Sequence, residues 1–285
     1  MLHVPNLAAS LEGRPFPDTD PSAPSAMSPT LPFYQPVAGE LELFRHCHEQ
    51  RLPLMLKGPT GCGKTRFVEH MAARLDRPLV TVPCHDDTSA ADLLGRWLVR
   101  GGDTVWQDGP VTRAVREGAI LYLDEIAEAR PDVIVAIHPL TDHRRELYVE
   151  RKGERLTAPE GFMLVVSFNP GYQRGWKELK PSTRQRFVAA SFDYPAPELE
   201  AGIVERESGC GGAEAKRLVQ LAGKLRELDE LGLAERASTR LLVDAGRLIH
   251  AGMAPRAACG AAICEPLSDD PEVLVALHEV AALAF

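Results

Sequence analysis

The chain lacks the features expected of a protein that binds nucleic acid or spans a membrane. Its 285 residues carry 40 acidic against 32 basic side chains, a net charge of −8, whereas binding to duplex nucleic acid normally needs a basic surface. No run of 18 apolar residues is present, so the sequence predicts no transmembrane helix. The first residues also lack the basic and apolar segments of a secretory signal. We therefore expect a cytoplasmic protein without nucleic acid or a membrane as its partner.

Cysteine pairing is missing as well. The six cysteines form no Cys-x-x-Cys pair and no spaced set of zinc ligands. Reduced thiols are the simplest interpretation. The apolar content of 45% is sufficient for a hydrophobic core.

Three regions of the chain differ in composition and periodicity. Residues 1–32 contain seven of the 23 prolines and no sustained pattern, which predicts a flexible arm. Residues 33–197 alternate short apolar runs with helical patterns, which predicts an α/β nucleotide-binding domain around a parallel five-stranded sheet. Residues 198–285 show helical patterns only, which predicts a small all-α lid domain.

The motif Gly-Pro-Thr-Gly-Cys-Gly-Lys-Thr at residues 58–65 matches the phosphate-binding loop GxxxxGK[ST]. In such a loop the backbone N–H groups surround the phosphates, Lys64 reaches the β/γ-phosphates and the Thr65 hydroxyl is placed for Mg²⁺. An apolar strand pattern precedes the motif and a helical pattern follows it, as the motif requires. The predicted nucleotide contacts are Gly58, Pro59, Thr60, Gly61, Cys62, Gly63, Lys64, Thr65 and Arg66.

Two adjacent carboxylates follow another apolar run, at residues 119–123. Open α/β sheets bind their ligands at the carboxyl ends of the strands. Asp124 is therefore predicted to hold Mg²⁺, directly or through water, and Glu125 to orient and deprotonate the attacking water. The alternative is an acidic pair that caps a helix.

An asparagine ends the next apolar run, which covers residues 162–168. At that position Asn169 can hold the attacking water or contact the γ-phosphate. The alternative is an Asn-Pro turn without a catalytic role.

Two β-prone segments, residues 96–107 and 146–157, contain glycine turns and predict hairpins inserted into the α/β domain. Such hairpins serve either as contact devices or as surface flaps. Trp97 and Trp106 are accordingly either contacts for a partner or a cross-strand pair that stabilises the first hairpin.

Together these motifs resemble the CbbQ/NirQ/NorQ group in the MoxR branch of AAA+ ATPases. Further strings that carry the resemblance are Trp-Gln-Asp-Gly-Pro at 106–110, Ile-His-Pro-Leu-Thr-Asp-His-Arg-Arg at 137–145, Asn-Pro-Gly-Tyr-Gln at 169–173 and Ser-Thr-Arg-Gln-Arg-Phe at 182–187. The resemblance covers residues 33–285.

The resemblance implies a role for each polar residue of the motifs. Asn169 corresponds to the sensor-1 residue and Arg240 to sensor 2. Arg186 is the preferred arginine finger, with Arg184 as the alternative. Because a finger acts on the nucleotide of a neighbouring subunit, the resemblance implies a homohexameric ring. For each arginine the alternative is a surface ion pair.

The implied function is Mg²⁺-dependent ATP hydrolysis by a ring that remodels a client protein. The strings lie nearest to CbbQ, which favours rubisco activation by release of inhibitory sugar phosphates, together with a von Willebrand factor A-domain (VWA) adaptor of the CbbO type. Maturation of nitric oxide reductase, as for NorQ and NirQ, is the alternative. Outside the family, a small-molecule kinase with a phosphate loop and a nucleotide-dependent scaffold remain; the carboxylate pair and Asn169 disfavour the kinase.

Overall fold

The structure of the chain is a computed structural model that describes residues 31–170, 179–228, 233 and 235–285. The predictions for residues 1–30 and 171–173 fall outside these described residues. Within them, no helix is both long and apolar enough to cross a bilayer.

In the described part of the chain, nine strands form one central sheet and two hairpins. They are β1 (Leu54–Lys57), β2 (Leu79–Pro83), β3 (Gly95–Arg100), β4 (Asp103–Asp108), β5 (Ile120–Asp124), β6 (Glu146–Val149), β7 (Glu154–Thr157), β8 (Met163–Phe168) and β9 (Val188–Ser191). The central sheet has the order β2-β5-β8-β1-β9, and all its neighbouring strands run parallel. The predicted parallel five-stranded sheet is confirmed.

Among the residues that the structure describes, six helices lie between or beside the strands: α1 (Glu40–Glu49), α2 (Lys64–Arg74), α3 (Ala90–Leu94), α4 (Pro110–Glu117), α5 (Pro131–Ile137) and α6 (Pro181–Arg184). The helices that follow are α7 (Pro197–Ser208), α8 (Gly212–Glu227), α9 (Thr239–His250), α10 (Pro255–Cys259), α11 (Glu265–Leu267) and α12 (Pro271–Ala284). Proline occupies the first position of α4, α5, α6, α7, α10 and α12, where its missing N–H costs no hydrogen bond.

The sheet separates two hydrophobic clusters. Leu121 and Leu123 of β5 face one cluster, whereas Ile120 and Tyr122 face the other, as the alternation of side chains along a strand requires. A third cluster contains only residues from 201 onward, contributed by α7 to α12 and the short segments between them.

The two hairpins contact each other. Strands β3 and β4 join through Gly101 (φ 59°) and Gly102 (φ 93°), the backbone that a tight two-residue hairpin turn requires. Trp97 is directly opposite Trp106, with ring centroids 5.4 Å apart, so the predicted cross-strand pair is confirmed. The Trp97 indole also donates a hydrogen bond to the Arg151 carbonyl, at 3.0 Å, in the turn between β6 and β7.

A buried ion pair joins the helices of the third cluster. The Glu200 carboxylate on α7, 1% exposed, accepts two hydrogen bonds from the Arg226 guanidinium on α8, at 2.7 and 2.8 Å. Thr239, the first residue of α9, donates a third at 2.6 Å. Glu200 therefore fixes three helices relative to one another.

We predict that Glu200→Ala lowers the free energy of unfolding by about 3 kcal/mol, because the variant leaves the Arg226 charge without its partner. Glu198→Ala is the control, since Glu198 is an exposed residue in the first turn of the same helix and should cost at most about 1 kcal/mol. Chemical denaturation of both variants measures the difference. Equal losses would show that the buried pair contributes nothing specific.

Candidate nucleotide site

The phosphate loop links β1 to α2 in a conformation that only glycine adopts without strain. Gly61 and Gly63 have φ angles of 70° and 97°, in the left-handed region. A Cβ atom on Gly61 would also lie 2.6 Å from the Cβ of Ser238. The loop therefore packs directly against the start of α9.

Lys64 is folded over this loop. Its ammonium donates hydrogen bonds to the carbonyls of Gly58 and Pro59, both at 2.7 Å, and the residue is only 8% exposed. A positive charge is thus held beside the N-terminus of α2, which itself favours anions.

The Asp124 carboxylate at the end of β5 lies among three hydroxyl groups. One of its oxygens accepts from Tyr122 at 2.7 Å and from Ser167 at 2.5 Å, and the other accepts from Thr65 at 3.2 Å. A carboxylate and a hydroxyl at this separation are the hard oxygen donors that Mg²⁺ prefers. Thr65 and Asp124 therefore fit the metal site predicted from the sequence.

Glu125 adopts a backbone conformation that is uncommon for its residue type. Its φ angle is 55°, and its N–H donates to the Ser167 hydroxyl at 2.7 Å. Burial raises the pKa of the Glu125 carboxyl, the charge of Asp124 raises it further, and Lys64 opposes both effects. A carboxylate with a raised pKa is better suited to accept a proton from water.

Asn169 lies at the end of β8, next to the phosphate loop. Its amide donates to the Thr60 hydroxyl at 3.1 Å, and that hydroxyl donates in turn to Glu235 at 3.1 Å. Asn169 thus contacts the phosphate loop directly, through the side chain of Thr60.

A cleft of about 770 Å³ opens in front of the loop. Its walls come from the loop, from the segment before α1 and from helices α7 and α9. The sequence-predicted residues that line it are Thr60, Gly61, Cys62, Gly63, Lys64, Thr65, Arg66, Asp124, Glu125 and Arg240. A terminal guanidinium nitrogen of Arg66 also lies 3.6 Å from a carboxylate oxygen of Glu207. Arg66 therefore connects α2, which follows the loop, to α7.

The two candidate finger arginines lie apart from this cleft. Arg184 and Arg186 are exposed at and just after the end of α6, and neither lines the cleft. Arg186 lies 3.6 Å from Asp142. The guanidinium of Arg144 also binds Asp142, at 2.7 and 3.0 Å, and these hydrogen bonds lower the pKa of the Asp142 carboxyl to about 2.

The sequence motifs missed several residues of the site. Ser167 and Tyr122 orient Asp124, and the sequence motifs assigned neither of them a role. Ser167 could have been noticed, because a hydroxyl within a wholly apolar strand needs a buried partner. Phe33, Tyr34 and Val37 line the cleft. Their contribution was not predicted because it depends on how the segment before α1 packs in three dimensions.

A glycine-rich loop after β1, a carboxylate pair at the end of β5 and a parallel sheet define an ATPase with a phosphate loop. Residues 53–187 match the AAA domain (dynein-related subfamily), and residues 200–284 match the C-terminal region of the CbbQ/NirQ/NorQ proteins.

Relatives cover nearly the whole chain. The denitrification regulatory protein NirQ of Pseudomonas aeruginosa is 60% identical over 257 residues, 90% of this chain and 99% of that protein. NorQ of Paracoccus denitrificans is 59% identical over 254 residues, 89% of this chain and 94% of NorQ. CbbQ of Hydrogenophilus thermoluteolus is 54% identical over 254 residues, 89% of this chain and 95% of CbbQ. The chain belongs to the CbbQ/NirQ/NorQ family of AAA+ ATPases.

Solved structures agree with the fold. NtrX from Brucella abortus superposes with a TM-score of 0.54 at 17% identity, covering 85% of this chain and 61% of NtrX. A further NtrX structure, with a TM-score of 0.50, contains ADP. Membership of the AAA+ family makes this chain a nucleotide-binding ATP hydrolase, and the small-molecule kinase interpretation is set aside.

We predict that Glu125→Gln lowers ATP turnover at least about 100-fold, because the amide cannot accept a proton from water. ATP binding should be retained, since the amide keeps the shape of the carboxylate. Glu117→Gln is the control, as Glu117 is exposed on α4. Phosphate release measures turnover and a fluorescent ATP analogue measures binding. Unchanged turnover would contradict the role assigned to Glu125.

Proposed function

We propose that this chain is the motor subunit of a cytoplasmic homohexameric ring that uses Mg²⁺-dependent ATP hydrolysis to remodel a denitrification enzyme, nitric oxide reductase. One observation carries the mechanism. Lys64, Thr65, Asp124 and Glu125 meet in one cleft, whereas Arg186 of the same chain lies outside it.

Each residue has a distinct part in the proposed hydrolysis. Lys64 offsets the negative charge that develops on the γ-phosphate. Glu125 orients a water molecule and accepts its proton, and Asn169 senses the γ-phosphate from the tip of β8. Thr65 and Asp124 would hold Mg²⁺, which when bound stabilises charge on the phosphate oxygens.

Arg186 is proposed to act on the nucleotide of the neighbouring subunit. Its side chain is 37% exposed, and its ion pair with Asp142 is long, at 3.6 Å. Such an exposed pair is worth at most about 1 kcal/mol, whereas an arginine finger contributes about 10³- to 10⁵-fold in rate. The ion pair is therefore too weak to withhold Arg186 from a neighbour. Arg184 is the alternative finger.

Residues 33–197 are proposed to form the nucleotide-binding domain and residues 198–285 a lid. Arg240, Val243 and Arg247 of α9 form one wall of the cleft. The lining of the cleft by Arg240 supports the proposal that this cation of the lid contacts the bound nucleotide in the sensor-2 role. Opening and closing of this wall would accompany the hydrolysis cycle.

The relatives favour a denitrification client over rubisco. NirQ and NorQ are 60% and 59% identical to this chain, and the NirQ name itself refers to denitrification. The rubisco function, which the motifs favoured, becomes the second candidate, supported by 54% identity to CbbQ. In both cases a VWA-domain adaptor is the proposed link between ring and client.

The shared interface predicts complementation between two inactive variants. Lys64→Ala and Arg186→Ala should each lose at least about 100-fold in ATP turnover. Mixed in equal amounts, they should recover up to about a quarter of wild-type turnover, because about one interface in four combines an intact loop with an intact arginine.

The control for this mixing experiment combines Lys64→Ala with Glu125→Gln. Both residues are proposed to act in their own chain, so every site in the mixed ring stays defective and turnover should not recover. Recovery in the control, or its absence in the first mixture, would contradict an arginine supplied by the neighbour.

The client is tested with purified components. With a VWA-domain adaptor present, inactive nitric oxide reductase should raise ATP turnover several-fold and gain activity in the presence of ATP. Lys64→Ala is the negative control. Stimulation by rubisco inhibited with a sugar phosphate, without any response to the reductase, would overturn the denitrification client and support the second candidate.

A further inference from the structure

A hydrogen bond connects the phosphate loop to the segment that leads into α7. The Tyr194 hydroxyl donates to the backbone carbonyl of Thr60 at 3.1 Å. Tyr194 lies between β9 and α7 and is followed by Pro195 and Pro197, which restrict the backbone there. A movement of the Thr60 carbonyl would therefore be passed to Tyr194 and to the rigid, proline-containing segment that follows it.

The ring of Tyr194 is stacked against Arg226, and each of the three guanidinium nitrogens of Arg226 donates a hydrogen bond. The guanidinium carbon of Arg226 lies 3.9 Å from the ring centroid. Its Nε donates to the Ala237 carbonyl at 2.8 Å, and its two terminal nitrogens bind Glu200. Arg226 therefore cannot shift without disturbing partners on α7 and in the segment before α9.

The same network returns to the loop through α9. Glu200 accepts from Thr239, and Thr239 is flanked by Ser238 and Arg240. The Ser238 side chain caps α9 by accepting from the Leu241 N–H and packs against Gly61 so closely that a methyl group would not fit between them. The contacts thus form a closed circuit from Thr60 to Gly61 through Tyr194, Arg226, Glu200 and Thr239.

We infer that Tyr194 is a positioning residue that transmits the conformation of the phosphate loop to the start of α9, and so sets the position of Arg240 at the cleft. The physical basis is a chain of directional contacts in which each group has a fixed partner. The inference rests on the proposed function in one respect, since it requires that a nucleotide binds at the phosphate loop. It does not depend on the hexameric ring, on the arginine finger or on the identity of the client protein.

Tyr194→Phe tests the inference without removing the packing. The variant deletes the hydrogen bond to Thr60 but keeps the ring under Arg226, and the ion pair of Arg226 with Glu200 remains. Because a neutral hydrogen bond of this kind is worth about two- to ten-fold in an equilibrium, the variant should still fold and bind nucleotide. Tyr148→Phe is the matched control: its hydroxyl donates to Glu146 on the exposed hairpin.

The measurement is amide hydrogen exchange at residues 238–243, with and without saturating ADP and Mg²⁺. In the wild type and in Tyr148→Phe we expect nucleotide to slow exchange by about five-fold or more. In Tyr194→Phe the slowing should fall below about two-fold, although ADP affinity changes by less than about ten-fold. Thr239→Val, which breaks the circuit at its other end, should also lose the slowing at these residues.

Two results would overturn the inference while leaving the ATPase function intact. The first is equal protection of residues 238–243 in Tyr194→Phe and the wild type. The second is a wild-type chain that hydrolyses ATP but shows no protection there. A wild type that binds no nucleotide would overturn both this inference and the proposed function.

Discussion

The rest of the site depends on how one carboxylate is held. Asp124 accepts hydrogen bonds from hydroxyls on α2, β5 and β8, so the loop helix and two adjacent strands share one anchor. Ser167 has a second task, because its hydroxyl also accepts from the Glu125 N–H and keeps that residue in its left-handed conformation. The orientation of the proposed metal ligand and that of the proposed base therefore have a common origin in one buried serine.

The arginines with proposed roles fall into two groups: some line the cleft of their own chain, and others are exposed away from it. Arg240 and Arg66 belong to the first group. Arg186 belongs to the second and rests on Asp142, just before the second hairpin. Gly61 packs against Ser238 at the start of α9, and the Thr60 carbonyl accepts from Tyr194 just before α7. These contacts are the proposed route for a response to nucleotide within one subunit, whereas Arg186 is proposed to act on the nucleotide of another.

The sequence could predict the features that depend on residues close together along the chain. The loop at residues 58–65, the pair after β5 and the five parallel strands follow from short-range patterns, since each depends on neighbours within a few residues. The contacts of Glu200 with Arg226 and Thr239 join residues 26 and 39 positions apart, and no local pattern specifies which charged residue of a helix becomes buried. The same limit hid the contact between Ser167 and Asp124: the two residues are 43 positions apart and meet only because β5 and β8 lie side by side.

The segment before α1 belongs to the nucleotide cleft, although it lies outside the matched AAA domain. Phe33 stacks on Arg206 of α7, Tyr34 packs on Phe67 of α2, and both line the cleft. Yet the matched AAA range begins only at residue 53. A fragment cut to that range would keep the phosphate loop and both carboxylates. It would lose the cleft walls that come from the segment before α1 and from α7 and α9, so the matched AAA domain does not contain the whole cleft.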